Sequence, residues 1–261
     1  MIGWVCATAL VFGPAAPVAA RADAAPGPSA PGKDAARLRV LLDSVDDLLR
    51  GGSSHGKMSM KVVTSKFTRA LTLEQWSEGK DKFLVRILEP QKERGTATLR
   101  NGPDIWNYLP KVERVIKLPA SMMGGAWMGS HVTNDDLVKQ SRLADDFVGR
   151  ITFEGAKDGK EVLEVELVPR PEVPVVWGKM VVRIGKPEDL PRSIDYYDED
   201  LKLARTITFA DIKAMGGRLL PARTVVVPVD KPGESTELVY QHLEFDVKLE
   251  PGFFSLRTLQ R

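Results

Sequence analysis

Few residues of this chain have the type and spacing that covalent chemistry needs. Ser130 and His131 adjoin in "MGSHVTNDDL", a hydroxyl beside an imidazole, the pairing used for nucleophilic acyl transfer. Neighbours in an extended chain point to opposite sides, so adjacency alone does not make a dyad. The other histidines, His55 and His242, stand far away in sequence and have no Cys or His at metal-ligand spacing. The acidic clusters "NDDL" and "DED" lack the alternation and glycine of a calcium loop and read as a helix start and a turn. No Gly-x-Ser-x-Gly, Walker A or Gly-x-Gly-x-x-Gly pattern occurs. The expectation is a protein that is not an enzyme, with no catalytic residue, metal site or cofactor. A hydrolase using Ser130 and His131 is the enzymatic alternative.

The distinctive residues are large and apolar. Trp76, Trp106, Tyr108, Met122, Met123, Trp127 and Met128 supply soft or aromatic surface, and methionine adapts its shape to irregular apolar partners. They are the candidates for lining a ligand cavity or its lid, although for any single one of them a place in the ordinary core ranks above direct ligand contact. Gly124, Gly125 and Gly129 would let the segment from Ser121 to Gly129 bend as a cover. Thr133 or Asn134 then caps a short helix, with Asp135 and Asp136 in its first turn, where the helix dipole favours acids.

These side chains need elements to hold them. Leu38, Leu41, Leu42, Val45, Leu48 and Leu49 recur at spacings of three and four between Lys33 and Arg50, which predicts an amphipathic helix, stopped by "GGSSHG". Beyond it the period becomes two. Met58, Met60 and Val62 alternate with Ser59, Lys61 and Val63, and Leu163, Val165 and Leu167 would face inward while Glu164 and Glu166 face water. "DIWNYLP" and "KVERVIKLP" read as a hairpin with Trp106 and Tyr108 on one face. Roughly eleven strands of this kind follow one another, with further helical pattern only near Asn134 to Leu143, so one mainly β domain with a curved antiparallel sheet is expected.

The chain has 261 residues, 43% hydrophobic and 28% charged, and 37 Lys plus Arg against 35 Asp plus Glu. This is globular composition with no concentrated basic run, so no nucleic-acid partner is expected. The first twenty residues carry no charge, and Ile2 to Phe12 is long enough for the core of a secretory signal but too short to span a bilayer. Residues 1–20 are therefore expected to be a cleaved signal peptide, 21–33 a flexible leader, and 34–261 a single domain. Cys6, the only cysteine, falls inside the signal.

The ordered set Asp104, Trp106, Tyr108, Pro110, Arg114, Met128, Gly129, Ser130, Thr133, Asp135, Asp136 and Leu137 resembles the motif of the LolA-like outer-membrane lipoprotein-sorting proteins. Where that family more often has Asp and Phe, this chain has His131 and Val132. The resemblance implies an incomplete, half-open antiparallel β-barrel covered by helices, with an apolar interior for acyl chains. It implies a periplasmic carrier that moves a lipoprotein or other lipid towards the outer membrane. An inner-membrane exporter of the resistance-nodulation-division (RND) type is an implied partner. The alternative is a periplasmic adaptor of such an exporter without lipid carriage.

Overall fold

The computed structural model describes residues 31–49, 51–139, 143–173 and 175–261. The expected signal peptide and most of the expected leader lie outside them. The first helix, α1, runs Pro31–Asp47. It begins two residues before the expected Lys33 and ends before Arg50. Leu38, Leu41 and Leu42 are its buried stripe, as the spacing of three and four requires.

Thirteen strands follow: β1 Ser53–Val63, β2 Thr68–Glu78, β3 Lys82–Glu89, β4 Ala97–Asn101, β5 Asp104–Leu109, β6 Arg114–Lys117, β7 Phe147–Lys157, β8 Lys160–Pro169, β9 Lys179–Gly185, β10 Leu190–Tyr197, β11 Leu203–Met215, β12 Arg218–Pro228 and β13 Ser235–Phe245. Between β6 and β7 lie the short helices α2, Asn134–Lys139, and α3, Leu143–Asp146; α4, Leu256–Leu259, closes the chain. The expected β5–β6 hairpin is present, with Leu109 opposite Arg114 and Trp106 opposite Lys117. The expected count of about eleven omits β4. Its residues Ala97, Thr98, Leu99 and Arg100 are all buried, so it lacks the half-polar alternation by which a strand is recognised.

All thirteen strands form one antiparallel sheet in the order β6-β5-β4-β3-β2-β1-β13-β12-β11-β10-β9-β8-β7. Ile105 of β5 and Leu163 of β8, on the second and twelfth strands of that order, belong to one buried cluster. A flat sheet would hold them roughly 48 Å apart at the usual strand spacing, so the sheet must wrap around that cluster. The edges β6 and β7 do not pair with each other, and the barrel is open.

The alternation expected for β1 and β8 is realised: Met60, Val62, Leu163, Val165 and Leu167 are fully buried on the inner face. Each such side chain contributes on the order of 1.5–3 kcal/mol relative to exposure. α1 lies across this face beside β7, and Gly149 permits the approach, since a Cβ there would stand 2.6 Å from Leu38 Cδ2. A second, smaller cluster of Leu84, Ala97, Leu99, Phe254 and Leu259 lies on the outer face, beneath the C-terminal segment. Among the described residues no helix is long and apolar enough to cross a membrane.

Candidate functional site: an apolar cavity under a fastened cover

The inner face and α1 enclose a cavity of about 200 Å³. Its apolar wall includes Met58, Phe83, Val85, Ile194, Ile207 and Leu238 from the sheet, and Leu48 and Leu49 just after α1. Gln75, Thr224 and Tyr240 add a few polar atoms, and the Tyr240 hydroxyl donates to Gln75 Oε1 at 3.3 Å. Apolar walls with a few convergent polar groups are the usual lining of a ligand site.

Residues 119–133 cross this face as the cover. Trp127 is 4% exposed and lines the cavity together with Val132 and Leu137. Its indole N–H donates to Thr98 Oγ1 at 3.1 Å, and the Thr98 hydroxyl donates to Asn107 Oδ1 at 2.7 Å. β4 and β5 thereby fix the ring. Met123 and Met128 pack partly buried against the inner core, whereas Met122 is exposed.

The other aromatic candidates are elsewhere. Trp106 and Tyr108 do share a face, but it is the outer one. The inner side of β5 belongs to Ile105, which alternates with them. Trp76 borders the cavity, yet its indole stacks on His55 at 5.2 Å and meets Phe253 at 5.7 Å, and so belongs to the outer cluster.

The cover is more firmly held than its glycines suggest. Gly129, at φ +69°, and Met128, at φ 49°, occupy left-handed backbone; this is ordinary for glycine and uncommon for methionine. Arg69 Nη1 donates to the Met128 carbonyl at 2.6 Å, and Arg69 is itself ion-paired with Glu93. The Asp135 and Asn134 amides donate to the carbonyls of Met123, at 2.8 Å, and Gly125, at 3.0 Å. These bonds fold the cover back onto the start of α2.

His131 fastens the cover to the β12–β13 turn. Its amide donates to Thr236 Oγ1 at 3.0 Å, and Nδ1 lies 2.9 Å from the same oxygen. Nε2 lies 3.1 Å from Glu234 Oε2. The network assigns the proton to Nε2, facing the carboxylate, with Nδ1 accepting from the threonine hydroxyl. The Ser65 amide, first, and His131, second, hold the Glu234 carboxyl down at about 2. Ser130 does not share this network. Its hydroxyl donates to the Val132 carbonyl at 3.4 Å and accepts from the Val132 amide at 3.1 Å, so the hydroxyl and the neighbouring imidazole are engaged with different partners.

The motif residues of α2 form a capping box. The Asp136 amide donates to Thr133 Oγ1 at 3.1 Å, and the Thr133 amide donates to Asp136 Oδ2 at 2.8 Å, the reciprocal arrangement of such boxes. Two buried arginines, which sequence reasoning did not single out, grip the same helix. Arg205 of β11 makes a two-point ion pair with Asp136, and Arg100 Nη1 donates to the Leu137 carbonyl at 3.0 Å. Arg205 lies under Tyr196 and Trp177, with its guanidinium carbon 4.2 and 4.6 Å from their ring centres. Burial, the largest single influence, would lower the Arg205 pKa, but the hydrogen bonds and charges of Asp136 and Tyr196 together outweigh it and the group is raised above its ordinary value. Burial pushes the Tyr196 hydroxyl up to about 12. A signal for Arg205 was available: in "ARTITF" it falls on the face of Ile207, and an inward charge needs a partner. Among the described residues no three His, Cys, Asp or Glu side chains are placed to hold a metal ion.

Comparison with known proteins agrees with this geometry. The structure matches an outer membrane lipoprotein-sorting protein domain, so described, from Vibrio parahaemolyticus, with 25% identity, a TM-score of 0.72, and coverage of 87% of this chain and 97% of that one. It also matches a DUF1329 family protein from Desulfovibrio piger, with 22% identity and a TM-score of 0.79 over 89% of this chain and all of the other. A LolA superfamily protein from Nitrosomonas europaea gives 20% identity and a TM-score of 0.70 over 84% and 98% of the two chains. No curated protein matches the chain. A family model described as "uncharacterized protein" matches residues 79–261, more than half of the sequence. The chain belongs to that family, and its fold is similar to that of the LolA superfamily and lipoprotein-sorting domain structures.

Proposed function

We propose that the protein is a periplasmic carrier that holds the acyl chains of a lipoprotein or another lipid and moves them towards the outer membrane. The observation that carries this reading is the apolar cavity between α1, the cover and the inner face of the sheet. Burial of each methylene there is worth about 0.8 kcal/mol, and such binding needs shape and apolar surface with no fixed polar constellation. The name of the Vibrio parahaemolyticus relative, lipoprotein sorting, supports the cargo class. Trp127, Met123 and Met128 are the cover residues we assign to the ligand side.

At about 200 Å³ the cavity is smaller than the roughly 300–1,000 Å³ of ordinary ligand pockets. A full acyl chain therefore enters only when the cover or the end of α1 shifts. The small cavity also favours the second reading, a periplasmic adaptor of an RND-type exporter that carries no lipid.

Delipidated protein titrated with a fluorescent fatty acid separates the two. Saturable binding, with transfer of the probe to vesicles, supports the carrier. Native mass spectrometry of protein from its own periplasm showing no apolar ligand, together with absent probe binding, supports the adaptor. Ser130→Ala is expected to leave any esterase signal unchanged.

A further inference from the structure

The cavity wall is mostly hydrocarbon, but several of its polar atoms are gathered on one side, over the adjacent strands β2, β1, β13 and β12. The inner stripe of β2 is apolar at Leu71 and Leu73 and turns polar at Gln75 and Ser77. Gln75 stands opposite Gly56 of β1, and Tyr240 of β13 stands opposite Met58, two residues further along the same face. The two side chains meet over β1, where the Tyr240 hydroxyl donates to Gln75 Oε1 at 3.3 Å. That is long for a hydroxyl donor, whose usual distance is about 2.7–2.8 Å. Two residues towards the start of β1, the hydroxyls of Ser54 and Ser77 lie 2.6 Å apart and engage each other. The Trp127 N–H is already given to Thr98. The carboxyl in the wall is that of Asp46, at the end of α1, which is 6% exposed and has Oδ2 3.4 Å from the Ala144 amide. Among the described residues no Lys, Arg or His lines the cavity.

We propose that Gln75 and Tyr240 make the cavity selective for acyl chains whose first polar group is neutral, an ester, amide or hydroxyl, over chains that end in a free carboxylate. The inference rests on the carrier reading above, to which it adds the linkage that the carrier recognises. A polar group taken out of water needs a partner, and this pair supplies one for either kind of neutral group. The Tyr240 hydroxyl or the Gln75 amide N–H donates to a carbonyl, and Gln75 Oε1 accepts from a hydroxyl. Because the bond between the two side chains is long, exchanging it for a ligand atom gives up little. A carboxylate brought to the same place would lose its hydration and gain only neutral donors, with Asp46 in the same wall, and both effects disfavour the charged form. A free fatty acid therefore keeps its carboxylate in water at the mouth, buries less of its chain and binds less tightly.

The test is displacement of a bound fluorescent fatty acid from the delipidated full chain by three ligands of one chain length, dodecanoate, dodecanol and monododecanoylglycerol, each kept below the concentration at which it aggregates. Dodecanol and monododecanoylglycerol are expected to displace the probe at concentrations about tenfold lower than dodecanoate. Part of any such advantage comes from the water solubility of the carboxylate, so the readout is how the ratio changes when the pair is removed. In Gln75→Leu/Tyr240→Phe the ratio is expected to shrink to about twofold, since each net hydrogen bond to a neutral group accounts for a few-fold in affinity. Tyr240→Phe alone, which keeps the ring and removes only the hydroxyl, is expected to give an intermediate ratio and serves where the double variant is unstable. Equal displacement by the three ligands in wild type, or a ratio that stays unchanged in both variants, overturns the selectivity and leaves the carrier reading standing. Absence of binding by the probe and by all three ligands removes the carrier reading, and the selectivity falls with it.

Discussion

Arg205 and Asp136 face each other as a two-point pair, Nη1 to Oδ2 at 2.7 Å and Nη2 to Oδ1 at 2.6 Å, joining β11 to the first turn of α2. Both side chains are about nine-tenths buried. A guanidinium and a carboxylate taken out of water together are tolerable, and either one alone is not. The carboxylate also completes the capping box with Thr133. One residue of the family motif thus ends the cover, starts the helix and anchors both to the sheet.

Asp136→Asn and Arg205→Met are each expected to cost about 3–5 kcal/mol of stability, because each leaves a buried partner uncompensated. The double variant is expected to cost clearly less than the sum of the two. Urea denaturation of the four proteins forms the cycle, and additive losses would show that the pair is not coupled.

His131→Asp introduces a carboxylate at a site where Glu234 already stands. Two carboxylates would then meet where one imidazole now bridges Glu234 and Thr236. A loss of about 1–3 kcal/mol is expected, with faster amide exchange over residues 126–132. Adding Glu234→Gln is expected to restore part of it, since the repulsion is then gone.

The inner face of the sheet was legible because its physics is periodic. Met58, Met60 and Val62, like Leu163, Val165 and Leu167, alternate with polar residues, and one-sided burial imposes that pattern. The start of α2 was legible, with Thr133 or Asn134 as its cap, because capping residues there precede the acids of a first turn; that Asp136 returns a bond to the Thr133 amide was not. What stayed hidden was whatever depended on distance or on the second face. Trp106 and Tyr108 share a face by period, but no period says that the C-terminal segment covers it, making it the outer one. β4 is buried on both sides and shows no alternation at all. Arg205 and its partner stand 69 residues apart, and the ties that fasten the cover come from β2 and the β12–β13 turn. From sequence alone the cover therefore read as a glycine hinge.

The Glu234 carboxyl, held at about 2 against an ordinary 4.5, makes a prediction about acid. A carboxyl whose folded value is depressed contributes stability that is present above its unfolded value and is lost as pH falls through the folded one. The stability difference between wild type and Glu234→Gln is therefore expected to be constant from neutral pH down to about 4.5, and to shrink between there and about 2. Denaturant midpoints across that range measure it. A difference that persisted at the acid end would mean that the carboxylate's charge contributes nothing.

Cavity and outer cluster can be separated by two substitutions whose effects should cross. Leu238 lines the cavity and is only partly buried, so Leu238→Trp fills space that is open. Its stability cost is expected to stay within about 1–3 kcal/mol, the usual range for an added core ring, while fatty-acid affinity falls by about tenfold or more. That loss corresponds to about 1.4 kcal/mol, no more than two buried methylenes. Trp106→Leu acts on the other face, where the ring packs beneath the C-terminal segment and lies 5.6 Å from Lys117 Nζ. It is expected to lower stability by about 1–3 kcal/mol and to leave affinity unchanged. Probe titration and urea denaturation on the two variants decide the matter. If Leu238→Trp bound the probe as well as wild type, the acyl chain would have to lie elsewhere, and the cavity under Trp127 would be only a packing defect of the inner core.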